Sequence, residues 1–197
     1  MERPLCVLGA GSWGTAVAAL ASGEVVLWAR RAELARELNE TRRNTAYTGA
    51  LELGPGVRAT SSLEEACAGA CAVLVAVPSA SFRPVAVDLA KALPADAPVL
   101  SLTKGVERGT HATMTTVLRS SCGDAPIGVL TGPNLAKEVA LGMPAACVVA
   151  VEDQAAARLV QSRLHGPSFR VYTSADVVGC EVAGATKNVL AIAAGVS

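Results

Sequence analysis

Two lysines sit where a proton or a negative charge would be handled. Lys187 lies in an apolar, helix-patterned stretch, with Ala183, Gly184, Leu190 and Ala191 at i±3 and i±4. No carboxylate on its own helix is spaced to pair with it. A lysine among small apolar groups loses hydration, which lowers its pKa and suits it to proton transfer. The same pattern also fits a lysine that carries its charge out along a helix edge. Lys104 follows the run VLSLT and precedes Gly105. That is just past a strand's C-terminal end, where open α/β sheets bind ligands. A third loop, TGPNLAKE (Thr131 to Glu138), turns at Gly132 and Pro133, with Asn134 placed to cap the next helix.

A phosphate cradle precedes these groups in the chain. Gly9-Ala10-Gly11-Ser12-Trp13-Gly14 fits G-x-G-x-x-G, between an apolar strand and a small-residue helix and ahead of a second strand. Gly9 suits the tight turn, Gly11 a close pyrophosphate, and Gly14 close packing of helix on strand. Free N–H groups at the helix start favour the pyrophosphate. An NAD-selective site places an acid about 20 residues past the first glycine. Here that position reads Ala29-Arg30-Arg31. Two guanidiniums suit a 2′-phosphate, so NADP(H) or NAD(H) is the expected cofactor, with NADPH favoured. A plain glycine turn and a solvated basic pair are the alternatives.

Strands and helices must alternate to hold these loops. Candidate strands fall at 5–8, 25–28, 57–60, 72–77, 99–102, 127–131, 145–151 and 169–172, several of them continuous apolar runs, as strands covered on both faces show. Helical patterns fall at 15–22, 32–40, 62–68, 82–92, 110–120, 134–141 and 153–164. The alternation predicts an α/β fold with a doubly wound, mostly parallel Rossmann-type sheet over residues 1–173. From Ser174 to Ser197 one helix is apolar nearly all round, which calls for a covering partner. Self-association through it, as in a homodimer, is expected where it stays uncovered.

Composition narrows the partners. The 197 residues carry 17 basic and 17 acidic side chains, a formal net charge of zero, and 51% hydrophobic residues. That balance argues against nucleic acid as the main partner, and no stretch reads as membrane-spanning. Arg3 ahead of a small apolar run ending Ala19-Leu20-Ala21 has the outline of a leader. Gly9, Gly11, Ser12 and Gly14 break the apolar centre a leader needs. Six cysteines (6, 67, 71, 122, 147 and 180) and two histidines show no metal spacing. Buried, reduced thiols and a cytoplasmic location are expected. His111, after Gly-Thr at a helix start, and His165 in LHG read as structural, without the His–acid pair of a lactate- or malate-type mechanism.

Together, GAGSWGTA, VLWARR, NETRRN..Y, VAVPSASFR, SLTKGVERGT, TGPNLAKEV and YTSADVVGCEVAGATKNVLAIAAG resemble the bacterial NAD(P)-dependent glycerol-3-phosphate dehydrogenase family along nearly the whole chain. The resemblance implies reversible reduction of dihydroxyacetone phosphate to sn-glycerol 3-phosphate for glycerophospholipid synthesis. It also implies that residues 174–197 begin a helical substrate domain whose remainder the chain does not contain. It implies that Ser12, Trp13, Arg30, Arg31, Tyr47 and Ala136 contact the cofactor. Lys104 would bridge cofactor and substrate, Gly132 and Asn134 would line the substrate, and Lys187 would transfer the proton with Asn188 beside it. The sequence departs from the family in its short first helix, in Tyr47-Thr48-Gly49, and in Thr186 before the lysine. A cofactor-binding fragment without turnover, or a 6-phosphogluconate- or 3-hydroxyacid-type dehydrogenase, is the alternative.

Overall fold

The apolar runs become the inner strands. In the computed structural model, which describes residues 3–196, β1 (Leu5–Leu8), β2 (Val25–Trp28) and β4 (Ala72–Val75) are buried at every residue. With β3 (Val57–Thr60), β5 (Val99–Ser101) and β6 (Ile127–Thr131) they form parallel neighbours. Strand β7 (Ala145–Val151) runs antiparallel to β6, and β8 (Phe169–Ser174) parallel to β7. The single sheet has the order β3-β2-β1-β4-β5-β6-β7-β8. Chain order reverses between β1 and β4, the switch point at which such sheets bind ligands outside the strands' carboxyl ends.

Alternate side chains of the inner strands feed two cores. Leu5, Val7, Leu27 and Leu74 face α1 (Ser12–Leu20), α2 (Ala32–Thr41) and, farther along the sheet, α8 (Gln154–Leu164). Cys6, Leu8, Val73 and Val75 face α4 (Leu63–Cys67), α5 (Phe82–Ala92) and α6 (Met114–Cys122). Burial on both faces is why these strands read as unbroken apolar runs rather than alternating ones. The short α3 (Thr45–Thr48) and a 3-10 turn at Ser79–Ser81 lack an apolar period, and sequence reading passes over them. Among the described cysteines, 6, 67, 71 and 147 are buried and 122 and 180 half-buried, all as free thiols.

Several boundaries differ for local reasons. Helix α1 begins at Ser12 rather than Thr15, because the extended Gly11 already forms its N-cap. Helix α6 begins at Met114 rather than Thr110: the Thr113 hydroxyl caps it, and a Val106–Thr113 bridge closes the preceding loop. His111 therefore lies in that loop with φ of 58°, outside the helix. Helix α7 (Ala136–Ala140) has Leu135, not Asn134, at its N-cap.

The last helix, α9 (Val177–Val196), packs its first turns on β6 and β7, where Val177 and Cys180 meet Val129 and Ala150. Ser197, the last residue of the predicted helix, lies outside the described residues. Within α9 Val178, Val189, Leu190 and Ile192 are exposed. The expectation of no membrane-spanning stretch needs correction. At 20 residues and a mean hydropathy of 1.3, α9 is long and apolar enough to cross a membrane by length and composition alone. Alanines and glycines between its larger residues hide this in the sequence. Its first half is nonetheless docked on the sheet.

Helix α1 presses directly on the turn after β1, because a Cβ on Gly14 would fall on the Gly9 carbonyl oxygen. Gly14→Ala is expected to lower the unfolding free energy by ~1–3 kcal/mol, as overpacking does. Urea denaturation measures this; an unchanged midpoint would show that the contact yields freely.

Candidate active site

Each glycine of the turn has its own geometry. Gly9 adopts φ of +117°, and a Cβ there would lie 2.6 Å from the Ala76 carbonyl oxygen. Only glycine satisfies both conditions. A Cβ on Gly11 would meet nothing within 4 Å. The chain is therefore tight at Gly9 and Gly14 and open at Gly11, the place assigned to a pyrophosphate. Helix α1 starts there with no side-chain cap and no acid in its first turn. Its first N–H groups, including those of Ser12 and Trp13, have no helical acceptor and favour an anion. The residues present fit a dinucleotide.

Asn44 supports this turn, and sequence reading gave it no role. Fully buried, it donates through Nδ2 to the Ala10 carbonyl at 3.0 Å and to Thr15 Oγ1 at 2.7 Å. Its backbone carbonyl accepts from Tyr47 N and Thr48 N, so one residue ties α3 to the cradle. The only available signal was its place in the family-like NETRRN..Y stretch. Tyr47 is 42% exposed on that short helix. Trp13 turns its ring toward Phe169, with centroids 6.4 Å apart, so much of the ring is committed to the core. Arg30 and Arg31 are exposed just past β2, and neither guanidinium has a partner among the described residues. Ala136 opens α7, which packs beside α1.

The second half of the site lies two and three strands away. Gly9, Ala76, Lys104 and Gly132 follow β1, β4, β5 and β6, which are successive neighbours in the sheet. At ~4.8 Å per strand this row spans about 14 Å. Lys104 Nζ donates to the Gly132 carbonyl at 2.9 Å. Partial burial of the ammonium, and next the charge of Lys187, bring the Lys104 pKa down from the usual lysine value to about 8. The lysine from the β5 loop thus meets both the Gly132 loop and the lysine from α9.

Asn134 completes the cluster, though not as a cap. Its Oδ1 and Nδ2 are both buried without a partner among the described residues. A Cβ on Gly132 would lie 2.9 Å from that Nδ2 and 2.6 Å from the Ala146 carbonyl. Glycine there lets the amide close on the loop. An orphaned buried amide on the loop that the Lys104 ammonium reaches suits a small, oxygen-rich anion. Asn188 is exposed next to Lys187 on α9. His165 lies elsewhere, accepting from Val171 N at 3.3 Å through Nδ1, a structural contact.

A family model described as the N-terminus of NAD-dependent glycerol-3-phosphate dehydrogenase matches residues 4–157. A glycerol-3-phosphate dehydrogenase [NAD(P)+] of Corynebacterium glutamicum is 45% identical over 196 residues, covering 97% of this chain and 59% of the relative. A relative so named in Mycobacterium tuberculosis is 46% identical over 198 residues, covering 98% and 59%. The crystal structure of glycerol-3-phosphate dehydrogenase from Coxiella burnetii superposes with a TM-score of 0.91 at 33% identity, over 100% of this chain and 61% of that one. The chain thus spans about 59% of the length of these curated relatives.

The meeting of the lysines is measurable. Lys104 is expected to titrate at about 8, and Lys187→Ala to raise that midpoint by removing a like charge. It stays below the ordinary value, because burial persists. Lysine-resolved NMR titration reads it; an unchanged midpoint would show the two groups to be uncoupled.

Proposed function

This chain belongs to the NAD-dependent glycerol-3-phosphate dehydrogenase family, and we propose that it forms the cofactor-binding part of an enzyme that reversibly reduces dihydroxyacetone phosphate to sn-glycerol 3-phosphate. The observation that carries this reading is Lys104, which meets Lys187 and bonds to the Gly132 loop that holds the unpartnered Asn134, in line with the open glycine turn. A lactate- or malate-type reading lacks its histidine, and the family found leaves the 6-phosphogluconate- and 3-hydroxyacid-type alternatives unsupported.

In this reading Ser12 and Trp13 hold the pyrophosphate through their N–H groups, and Arg30 and Arg31 grip a 2′-phosphate. Tyr47 and Ala136 flank the cofactor. NADPH or NADH supplies the hydride when bound. Lys187 gives a proton to the carbonyl oxygen of the substrate during reduction and takes it back in the reverse direction, with Asn188 beside it. Lys104 places a positive charge between cofactor and substrate. Gly132 and Asn134 line the substrate, and the Asn134 amide offers both a donor and an acceptor to its oxygens. Because Lys104 is charged mainly below about 8, its pull on an anionic substrate fades as pH rises through that value.

We assign residues 1–173 to the cofactor domain and 174–197 to the start of a helical substrate domain. The product supplies glycerophospholipid synthesis, a cytoplasmic role. Over its 197 residues alone the chain is expected to bind NADPH without turnover and to self-associate through the exposed apolar side of α9. NADPH oxidation with dihydroxyacetone phosphate, run on this chain and on a full-length protein that contains it, tests the reading. No turnover by the full-length protein would overturn the substrate assignment, and turnover by the chain alone would overturn its inactivity.

Two substitutions sharpen it. Arg30→Asp is expected to weaken NADPH by roughly 10–100-fold, the loss of a charge-assisted hydrogen bond, while NADH holds or gains. Fluorescence titration reads this, and equal loss of both cofactors would remove the 2′-phosphate role. In the full-length enzyme Lys187→Ala is expected to cut kcat by ~10²–10⁴, the range for a general acid–base group. NADPH affinity changes little; near-normal kcat would return Lys187 to a structural part.

A further inference from the structure

Lys187 is held in place by contacts made earlier on its own helix. The Glu181 carboxylate is only 5% exposed and accepts from Thr115 N at 2.9 Å and from the Thr115 hydroxyl. A carboxylate withdrawn from water is costly unless such donors replace its hydration. Thr115 is the second residue of α6, so the charge also sits at a helix N-terminus, where it is favoured. One turn on, Gly184 lies so close to β6 that a Cβ would fall on Thr131 Oγ1. Steps of three residues carry this line from Glu181 through Gly184 to Lys187.

The other end of the clasp belongs to the loop that carries Lys104. That loop runs from β5 to α6 and is pinned midway by Arg83, whose Nε and Nη2 donate to the two Glu107 oxygens at 2.6 and 2.7 Å. Its end is Thr115's own helix. Glu181 therefore joins the helix of one lysine to the loop of the other. We propose that Glu181 is a positioning residue, which through Thr115 seats α9 so that Lys187 reaches Lys104.

This inference rests on the reading of Lys187 as the proton donor for its meaning in catalysis, but its geometry is tested without turnover. NMR titration of Lys104 in the 197-residue chain is compared for Glu181→Ala, Glu181→Gln and Thr115→Val. Glu181→Ala is expected to raise the Lys104 midpoint, as Lys187 loses its seat. Removing a nearby carboxylate would by itself lower a lysine pKa, so a rise reports movement. Glu181→Gln removes the same charge but keeps an acceptor for Thr115 N–H, and is expected to show no rise. Thr115→Val removes only the hydroxyl and is expected to give a smaller rise; it decides the matter if Glu181→Ala fails to fold. In the full-length enzyme Glu181→Ala is expected to lower kcat roughly 10–100-fold, as a small misplacement of a reacting group does, with Glu181→Gln restoring most of it. A Lys104 midpoint unmoved or lowered in folded Glu181→Ala, or unmoved in Thr115→Val where the alanine variant does not fold, overturns the proposal. Absence of turnover in the parent full-length protein would instead overturn the dehydrogenase reading and leave the titration result standing.

Discussion

Four strand ends lying side by side are the constraint on which the rest of this molecule depends. Backbone hydrogen bonds continue past the strands into the loops: Gly9 N donates to Trp28 O at 3.0 Å, Ala76 N to Leu8 O at 2.7 Å, and Leu102 N to Val75 O at 2.8 Å. These bonds hold the glycine turn, the Ala76 loop and the Lys104 loop in one row. Burial of the strands on both faces keeps that row from sliding, since a one-residue slip would exchange the two cores. The row is anchored from below by a different device. Buried Arg163 donates to the carbonyls of Arg3, Ser22 and Glu24, at the amino ends of β1 and β2.

Charge is arranged on top of this frame with opposing costs. The Arg83–Glu107 pair, with Thr110 also donating, holds the Glu107 carboxyl down to about 2. Its contribution is present above the ordinary carboxylate range and is lost as pH falls toward that value. Both partners are solvent-accessible, so the pair matters for the position of the loop more than for stability. Lys104 behaves the other way. Its depressed pKa means that the charged form strains the fold below about 8, and this strain eases as pH rises toward the ordinary lysine value. A like-charged pair held against its own repulsion is an arrangement that an anion would relieve.

Much of the fold was legible because it is written in contiguous residues. Leu5–Leu8, Val25–Trp28 and Ala145–Val151 form strands with the bounds their apolar runs predict. The glycine spacing named the tight, open and close-packed positions correctly, since each depends on the presence or absence of one Cβ. The family resemblance, carried by motifs along the whole chain, agrees with the family that matches. Where local reading failed, a competing local interaction had won. Asn134 looked like a cap, but the extended Leu135 starts the helix and leaves the amide to the site.

The sequence by itself determined the strand and helix types, the cradle's three glycines, and the position of Lys104 just beyond a strand. These follow from backbone freedom, side-chain volume and periodicity, which act over a few residues. Only the tertiary structure decided which distant groups meet. Asn44 reaches Ala10 across 34 positions and Glu181 reaches Thr115 across 66. Lys187 finds Lys104 only because β5 and β6 are neighbours and α9 lies across β6 and β7. Nothing in the residues around Lys187 specifies that partner. Strand order and helix seating do, because they alone convert separation along the chain into contact in space.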